Sequence, residues 1–198
     1  EEDATMHRSE KIIEDLTGQK MAGHRAPGGV IHDYSLELFL EHGYIYSSNW
    51  RDSDGPFLHQ IDGKTVPLVE LPKDSIFDDT AYDFYTDSAP ERYELKSPDE
   101  MYEIWKEEFD SLADEGRMIN FVLHPQFMGR ASRIQMLSRL IGYMKTHGAW
   151  LDTNKAVASW ILEQNGFGSD PSKVQETPTG HSETWDPRTH VSAREKLL

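Results

Sequence analysis

No cysteine occurs among the 198 residues, which removes disulfides, thiolate nucleophiles and cysteine-based zinc fingers together. A chain without disulfides fits a reducing compartment. Basic residues are few: 20 Lys and Arg stand against 35 Asp and Glu, a formal charge of −15. A field of that sign repels phosphate backbones and anionic membranes and suits a neutral or cationic substrate. No apolar run approaches the ~20 residues of a membrane-spanning helix. The opening Glu1-Glu2-Asp3-Ala4-Thr5 is acidic where a secretory leader is basic. We therefore expect a soluble, cytoplasmic protein with no nucleic-acid or membrane partner. Also missing are a Gly-x-Gly-x-x-Gly or lysine-type phosphate loop, a Gly-x-Ser-x-Gly elbow, and any His-x-x-x-His pair on one helical face. Nucleotide cofactors, a serine nucleophile and a self-contained histidine zinc site are thus unsupported.

What is present is a globular chain with 37% hydrophobic residues, enough for a core. Met6, Ile13 and Leu16 predict a short amphipathic helix, with Thr5 as a cap and Gly18 just past its end. A strand over Met21–Arg25 stops at Ala26-Pro27-Gly28-Gly29. A helix with Leu36, Phe39 and Leu40 inward follows, capped by Asp33 or Ser35 and ended by Gly43 before a strand at Tyr44-Ile45-Tyr46. The turn-rich stretch from Asn49 to Lys64 reads as a surface excursion or hairpin, and Val66–Leu71 as a strand. Residues 72–96 show no period and read as a long functional loop. Ser97-Pro98-Asp99-Glu100 is a capping box opening a helix whose apolar face is Met101, Ile104, Trp105, Phe109 and Leu112. Met118–Leu123 reads as a strand buried on both faces, and Ala149–Asp152 as another. Helices are expected over Ala131–Thr146, with Ile134, Leu137, Ile141 and Met144 inward, and over Asn154–Gln164. This alternation predicts an α/β fold with parallel strands and a site at their carboxyl ends. The folded domain is expected over residues 1–168. Residues 169–198, poor in large apolar side chains, read as a flexible tail or a subunit-wrapping arm anchored by Trp185.

Two polar signals close predicted strands. His124, before Pro125, is suited to proton transfer near neutral pH, or else is a capped core histidine. Arg25 can orient a carboxylate through paired hydrogen bonds, or simply form a surface ion pair. Asp78 and Asp79 can bind substrate or a metal, or sit as solvated turn residues.

Four segments carry a family resemblance. Leu16–Gly28, with Gly23-His24-Arg25-Ala26-Pro27-Gly28, resembles the segment ending in Arg-Ala-Pro of the polysaccharide deacetylase superfamily, which shares the chitooligosaccharide deacetylase homology domain. Tyr44-Ile45-Tyr46-Ser47-Ser48 is similar to its next strand, with serine at 47 where aspartate is usual. Leu68-Val69-Glu70-Leu71-Pro72 followed by Asp78-Asp79 is similar to a third motif. Phe121–Gln126 with Gly129-Arg130-Ala131-Ser132-Arg133 resembles the Leu-His-Pro signature of the peptidoglycan deacetylase-like and allantoinase-like branch. The resemblance covers residues 1–165.

It implies a distorted (β/α) barrel that holds a divalent cation, usually zinc, through one Asp and two His, with a second Asp as base on a metal-bound water that attacks an amide carbonyl. By position His124 matches the acid and Arg25 the arginine that pairs with the base. Asp78 or Asp79 matches a substrate-side acid, with Pro27 and Gly28 beside them. The family's Asp-Asp strand and His-x-x-x-His motif have no counterpart, so no metal ligand is assigned to this chain. A (β/α) barrel takes roughly 250 residues. We therefore expect an incomplete barrel that lacks its first strands and is completed by another chain or segment carrying the metal ligands, within an oligomer. The function implied is hydrolysis of non-peptide C–N bonds, with an N-acetylated sugar or, favoured by the acidic surface, a small amide, imide or ureide as substrate. The alternative is a deacetylase-like remnant acting as a binding or regulatory subunit.

Overall fold

A computed structural model describes residues 1–83 and 95–168. The expected tail or arm, Trp185 included, lies outside the described residues, as does much of the 72–96 loop. No helix among the described residues is long and apolar enough to cross a membrane. These residues form two compact units, one of residues 1–72 with 152–168 and the other of residues 73–83 with 95–151.

The first unit is a four-stranded sheet with helices. Helix α1 (Glu2–Thr17) starts earlier than Thr5 and ends at Gly18, whose φ of 70° is the left-handed value a helix stop needs. Strand β1 (Gly23–His24) leads through the Pro27–Gly29 turn to α2 (Ser35–Glu41), then β2 (Tyr46–Ser47), β3 (Phe57–Ile61) and β4 (Lys64–Glu70). The order is β1-β2-β4-β3, parallel across the first three, with β3 an antiparallel edge. The 49–64 excursion is thus a hairpin. Asp62 and Gly63, with φ of 50° and 72°, form its two-residue loop, the geometry that matches the twist of paired strands. Pro67 sits in the middle of β4, where it cannot donate to a ladder. The register slips between the Leu58–Val69 and Gln60–Thr65 pairs, so the proline falls in a bulge. Leu68 and Val69 point to opposite faces and are both fully buried, so β4 is covered on two sides. Met6, Phe39, Tyr44 and Leu68 form one core cluster, and α7 (Asn154–Gln164), capped by Thr153, packs on β2 and β4.

In the second unit a turn at Ser75–Phe77 precedes α3 (Thr80–Asp83). The capping box of Ser97 and Glu100 opens α4 (Pro98–Asp114) as expected. The one-turn α5 (Pro125–Met128) and then α6 (Ala131–Thr146) follow. Phe77, Met101, Trp105, Phe109, Met128, Met136, Leu140 and Met144 build the core. The face of α6 is rotated from the expected one. Arg133, Met136, Leu140 and Met144 are buried, while Leu137 and Ile141 only flank the cluster and Ile134 is exposed. The apolar periodicity misses the rotation because a buried ion pair from Arg133 to Asp83 sets the facing side. The expected strand at Met118–Leu123 is reduced to one parallel bridge, Val122 with Asp78, and Leu123 is exposed. Residues 149–152 form no strand. A strand exists through its partners, and among the described residues the only backbone pairing given to Val122 is with the Phe77–Asp79 segment.

Candidate functional site

Asp79 and His124 meet in the second unit, 45 residues apart in sequence. Val122 N–H donates to Phe77 C=O and Asp79 N–H donates to Val122 C=O, at 2.9 and 3.1 Å, so the two segments run side by side for one step. Trp105, fully buried in α4, donates its indole N–H to Ile76 C=O at 2.7 Å. Tyr82 donates its hydroxyl to the same oxygen. These bonds fix the segment carrying Asp79. His124 is held from the other side. Its carbonyl accepts the N–H groups of Phe127 and Met128, and Met128 is anchored in the core. Gly129 closes this turn so tightly that a Cβ there would lie 2.4 Å from Pro125 O.

Asp79 is fully buried, and both its oxygens are turned to His124. Oδ2 accepts the His124 backbone N–H at 2.7 Å, and Oδ1 lies 2.6 Å from ring Nδ1. With the neutral ring's hydrogen on Nδ1, Nε2 is left without a hydrogen-bond partner among the described residues. The side chain stays 34% exposed, enough for contact with a substrate. Asp78, the other acid, accepts the N–H and hydroxyl of Thr80 on Oδ1. Asp78, Asp79 and His124 bring three donor atoms within 4.8 Å. Nδ1 faces Asp79, the second Asp79 oxygen holds a backbone N–H, and Asp78 uses one oxygen to cap a turn. The core of the group is a hydrogen-bonded carboxylate–imidazole pair, with Nε2 of His124 as the ring atom left to meet a ligand.

Arg25, Pro27 and Gly28 belong to the first unit. Arg25 donates from Nε and Nη2 to Ser48 Oγ, at 3.2 and 2.7 Å, and that hydroxyl donates to Leu71 C=O at 2.7 Å. Asn49 Oδ1 accepts Ala26 N–H at 2.7 Å and tethers the start of the Pro27–Gly29 turn, in which Gly28 has a φ of 71°. Glu70 is fully buried beneath. Its Oε1 accepts the N–H groups of Asn49 and Trp50 at 2.6 and 2.9 Å, and Oε2 lies 2.9 Å from His59 Nε2. Burial alone pushes the Glu70 carboxyl up, but the bonds from His59, Ser47 and the two backbone amides outweigh it and hold the group below its ordinary value. Arg25 also borders a cavity of about 530 Å³ lined by Glu2, His24, His32 and Tyr34 among others. Burial pushes His24 below the ordinary histidine value, with the Glu2 charge working the other way.

Several residues here carry no signal as single positions in the sequence. Glu70 and His59 are joined only through the β3–β4 hairpin. Ser48 closes the Tyr44–Ser48 motif with no role of its own in sequence, and Asn49 follows it as an unremarkable polar residue. Asp83 and Arg133 pair across 50 residues. Burial of Asp83 raises its carboxyl above the usual range against the pull of Arg133. A hairpin signal at Asp62-Gly63 was the one cue that could have paired β3 with β4.

No protein-family model matches the chain. A peptidoglycan deacetylase of Helicobacter pylori is 24% identical over 191 residues, covering 83% of this chain and 65% of that protein. Among solved structures, a Mycobacterium smegmatis protein classed as a polysaccharide deacetylase is similar at 23% identity with a TM-score of 0.76, over 92% of this chain and 61% of that one. The Puue allantoinase is similar at 23% identity with a TM-score of 0.67, over 83% of this chain and 53% of the other. A Pseudomonas aeruginosa PAO1 protein classed with the polysaccharide deacetylases is 22% identical with a TM-score of 0.66, over 83% of this chain and 54% of the other. The chain thus spans just under two thirds of the curated relative it matches and between half and two thirds of these structures. Its mixed α/β fold with a mainly parallel sheet is the fold of these (β/α)-barrel neighbours. In sequence the chain is thus similar to a peptidoglycan deacetylase, and in fold to structures of the polysaccharide deacetylase superfamily.

Proposed function

We propose that this chain forms part of a hydrolase of non-peptide C–N bonds, an N-deacetylase or a small amide, imide or ureide hydrolase, in which His124 is the general acid. The observation that carries the reading is the Asp79–His124 pair. A carboxylate on Nδ1 fixes the ring's orientation and tautomer and stabilises the imidazolium, so Nε2 is the atom that gives up a proton. As the C–N bond breaks, its electron pair goes to the leaving nitrogen and the Nε2 proton neutralises it there. Asp79 is assigned the positioning role rather than substrate contact, because it is buried and both of its oxygens are spent. Asp78 stays a candidate on the substrate side. In this reading Arg25, braced by Ser48, orients the base aspartate, and the Pro27-Gly28 turn shapes the substrate rim. A divalent cation, zinc by the family resemblance, would activate the attacking water and polarise the carbonyl. We assign its ligands and the base aspartate to a segment or partner chain outside this sequence, within an oligomer. The relatives' greater length supports that assignment.

The test is His124→Ala in the complete enzyme, assayed on an N-acetylated glycan oligomer and on a small ureide. We expect kcat to fall by ~10² or more with KM nearly kept, since the lost interaction belongs to the transition state. A loss under about threefold would remove His124 from the acid role.

A further inference from the structure

The first unit contains a second histidine–carboxylate cluster that the hydrolase reading does not use. Asp3 and His7 lie four residues apart on α1 and therefore share a helix face, with Glu10 one turn on. His42, the residue that ends α2, reaches all three. Its ring is only 5% exposed, with Nδ1 2.7 Å from Glu10 Oε1 and Nε2 2.9 Å from Asp3 Oδ1. His7 Nδ1 lies 3.1 Å from the same Asp3 oxygen, and the two rings stand edge to face with centroids 4.4 Å apart. Donor atoms of Asp3, His7 and His42 all fall within 4.8 Å of one another.

The position of Glu10 makes this more than a surface ion pair. A neutral imidazole has one N–H, and the carboxylate at Nδ1 claims it. The Nε2 lone pair then points at a carboxylate oxygen 2.9 Å away, acceptor against acceptor, and only a proton or a metal ion between them removes the conflict. We propose that Asp3, His7 and His42 bind a divalent transition metal of the zinc class, with Glu10 orienting the His42 ring from behind. Zinc bonds nitrogen and carboxylate oxygen at about 2.0–2.2 Å, so tetrahedral ligand atoms stand about 3.3 Å apart. The observed 2.9 and 3.1 Å need only a few tenths of an ångström of opening. Two imidazoles and one carboxylate suit zinc, nickel or copper better than calcium or magnesium, which prefer all-oxygen shells. Asp3 and His7 are more than half exposed, so an ion can enter, and the formal charge of −15 raises the local cation concentration. The ion would clamp the start of α1 to the end of α2, and its binding energy would appear as stability of this unit.

Zinc chloride alone, added to the full chain, tests this by calorimetric titration and thermal unfolding, with cobalt(II) absorption and imidazole ¹⁵N shifts reporting the ligands. Expected are one zinc per chain, a raised unfolding midpoint, and ring shifts at His7 and His42. His7→Ala should weaken binding more than about tenfold and Glu10→Gln about tenfold, with His124→Ala within about twofold of the parent. His7 is exposed, so its variant decides the matter even where His42→Ala fails to fold. No rise in midpoint at about 1 mM zinc, equal affinity in His7→Ala and the parent, or a loss that follows His124→Ala instead would each overturn the proposal.

Discussion

Replacing Asp79 by Asn changes almost no volume and reverses one hydrogen bond. The backbone N–H of His124 can only donate, and at 2.7 Å it keeps the single amide oxygen of the new side chain. The amide NH₂ then faces Nδ1 across the present 2.6 Å, so Nδ1 must accept. The neutral ring switches to the Nε2–H tautomer, and the protonated ring sets two donors face to face. A hydrogen bond to a charged partner contributes about 1.5–3 kcal/mol. At 1.36 kcal/mol per factor of ten, its loss alone costs the imidazolium roughly a factor of 10–150. Adding the donor–donor contact, we expect kcat to fall about 10²–10⁴-fold, with KM little changed. ¹⁵N shifts of the His124 ring nitrogens read the tautomer directly, and steady-state rates on an N-acetylated glycan oligomer read the consequence. An Asn variant that keeps the parent tautomer, or that turns over within about threefold of the parent, would refute the positioning role.

Gly129→Ala places a Cβ 2.4 Å from Pro125 O, a backbone atom that cannot swing aside. We expect a loss of about 1–3 kcal/mol in chemical denaturation and a lower kcat, because the displaced turn carries His124; an unaltered midpoint would show that the turn yields freely. Arg25→Lys keeps the charge but cannot span Ser48 with two nitrogens, so in the complete enzyme we expect kcat to drop about tenfold or more; near-parent activity excludes the orienting role. Glu70 has a folded-state pKa below its ordinary 4.5, so its ionised form contributes stability above that value and loses the contribution as pH falls through the lower one. Unfolding midpoints should therefore drop on acidification below about pH 4.5, and Glu70→Gln should be less stable at neutral pH with a shallower acid decline; parallel curves for the two proteins would contradict the assignment.

The candidate acid and its surroundings were partly legible from local rules. His124-Pro125 stood out because a proline cannot extend a strand, so the histidine had to end one segment and begin another. The Ser97–Glu100 capping box was readable because both partners lie within four residues. The grouping of Asp3, His7 and His42 is invisible to spacing within one helix, because His42 lies 35 residues beyond His7 at the end of another. The strand expected at Met118–Leu123 failed for a related reason: apolar content shows that a segment is buried, while pairing depends on which backbone lies beside it.

By itself the sequence determined the start of α4 at its capping box, the end of α1 at Gly18, the hairpin cue at Asp62-Gly63 and the sign of the formal charge, while the starts of α1 and α2 fell elsewhere than the expected Thr5 and Asp33 or Ser35. Only the tertiary structure decided that Asp79 turns both oxygens to His124, that Arg133 rather than Ile134 faces inward on α6, and that Glu70 is buried on His59. The physical reason is range. Caps, turns and helical periods are satisfied within a few residues, whereas the state of a buried carboxylate depends on donors brought to it from 11 to 50 residues away, and nothing in the local chain encodes which ones will arrive.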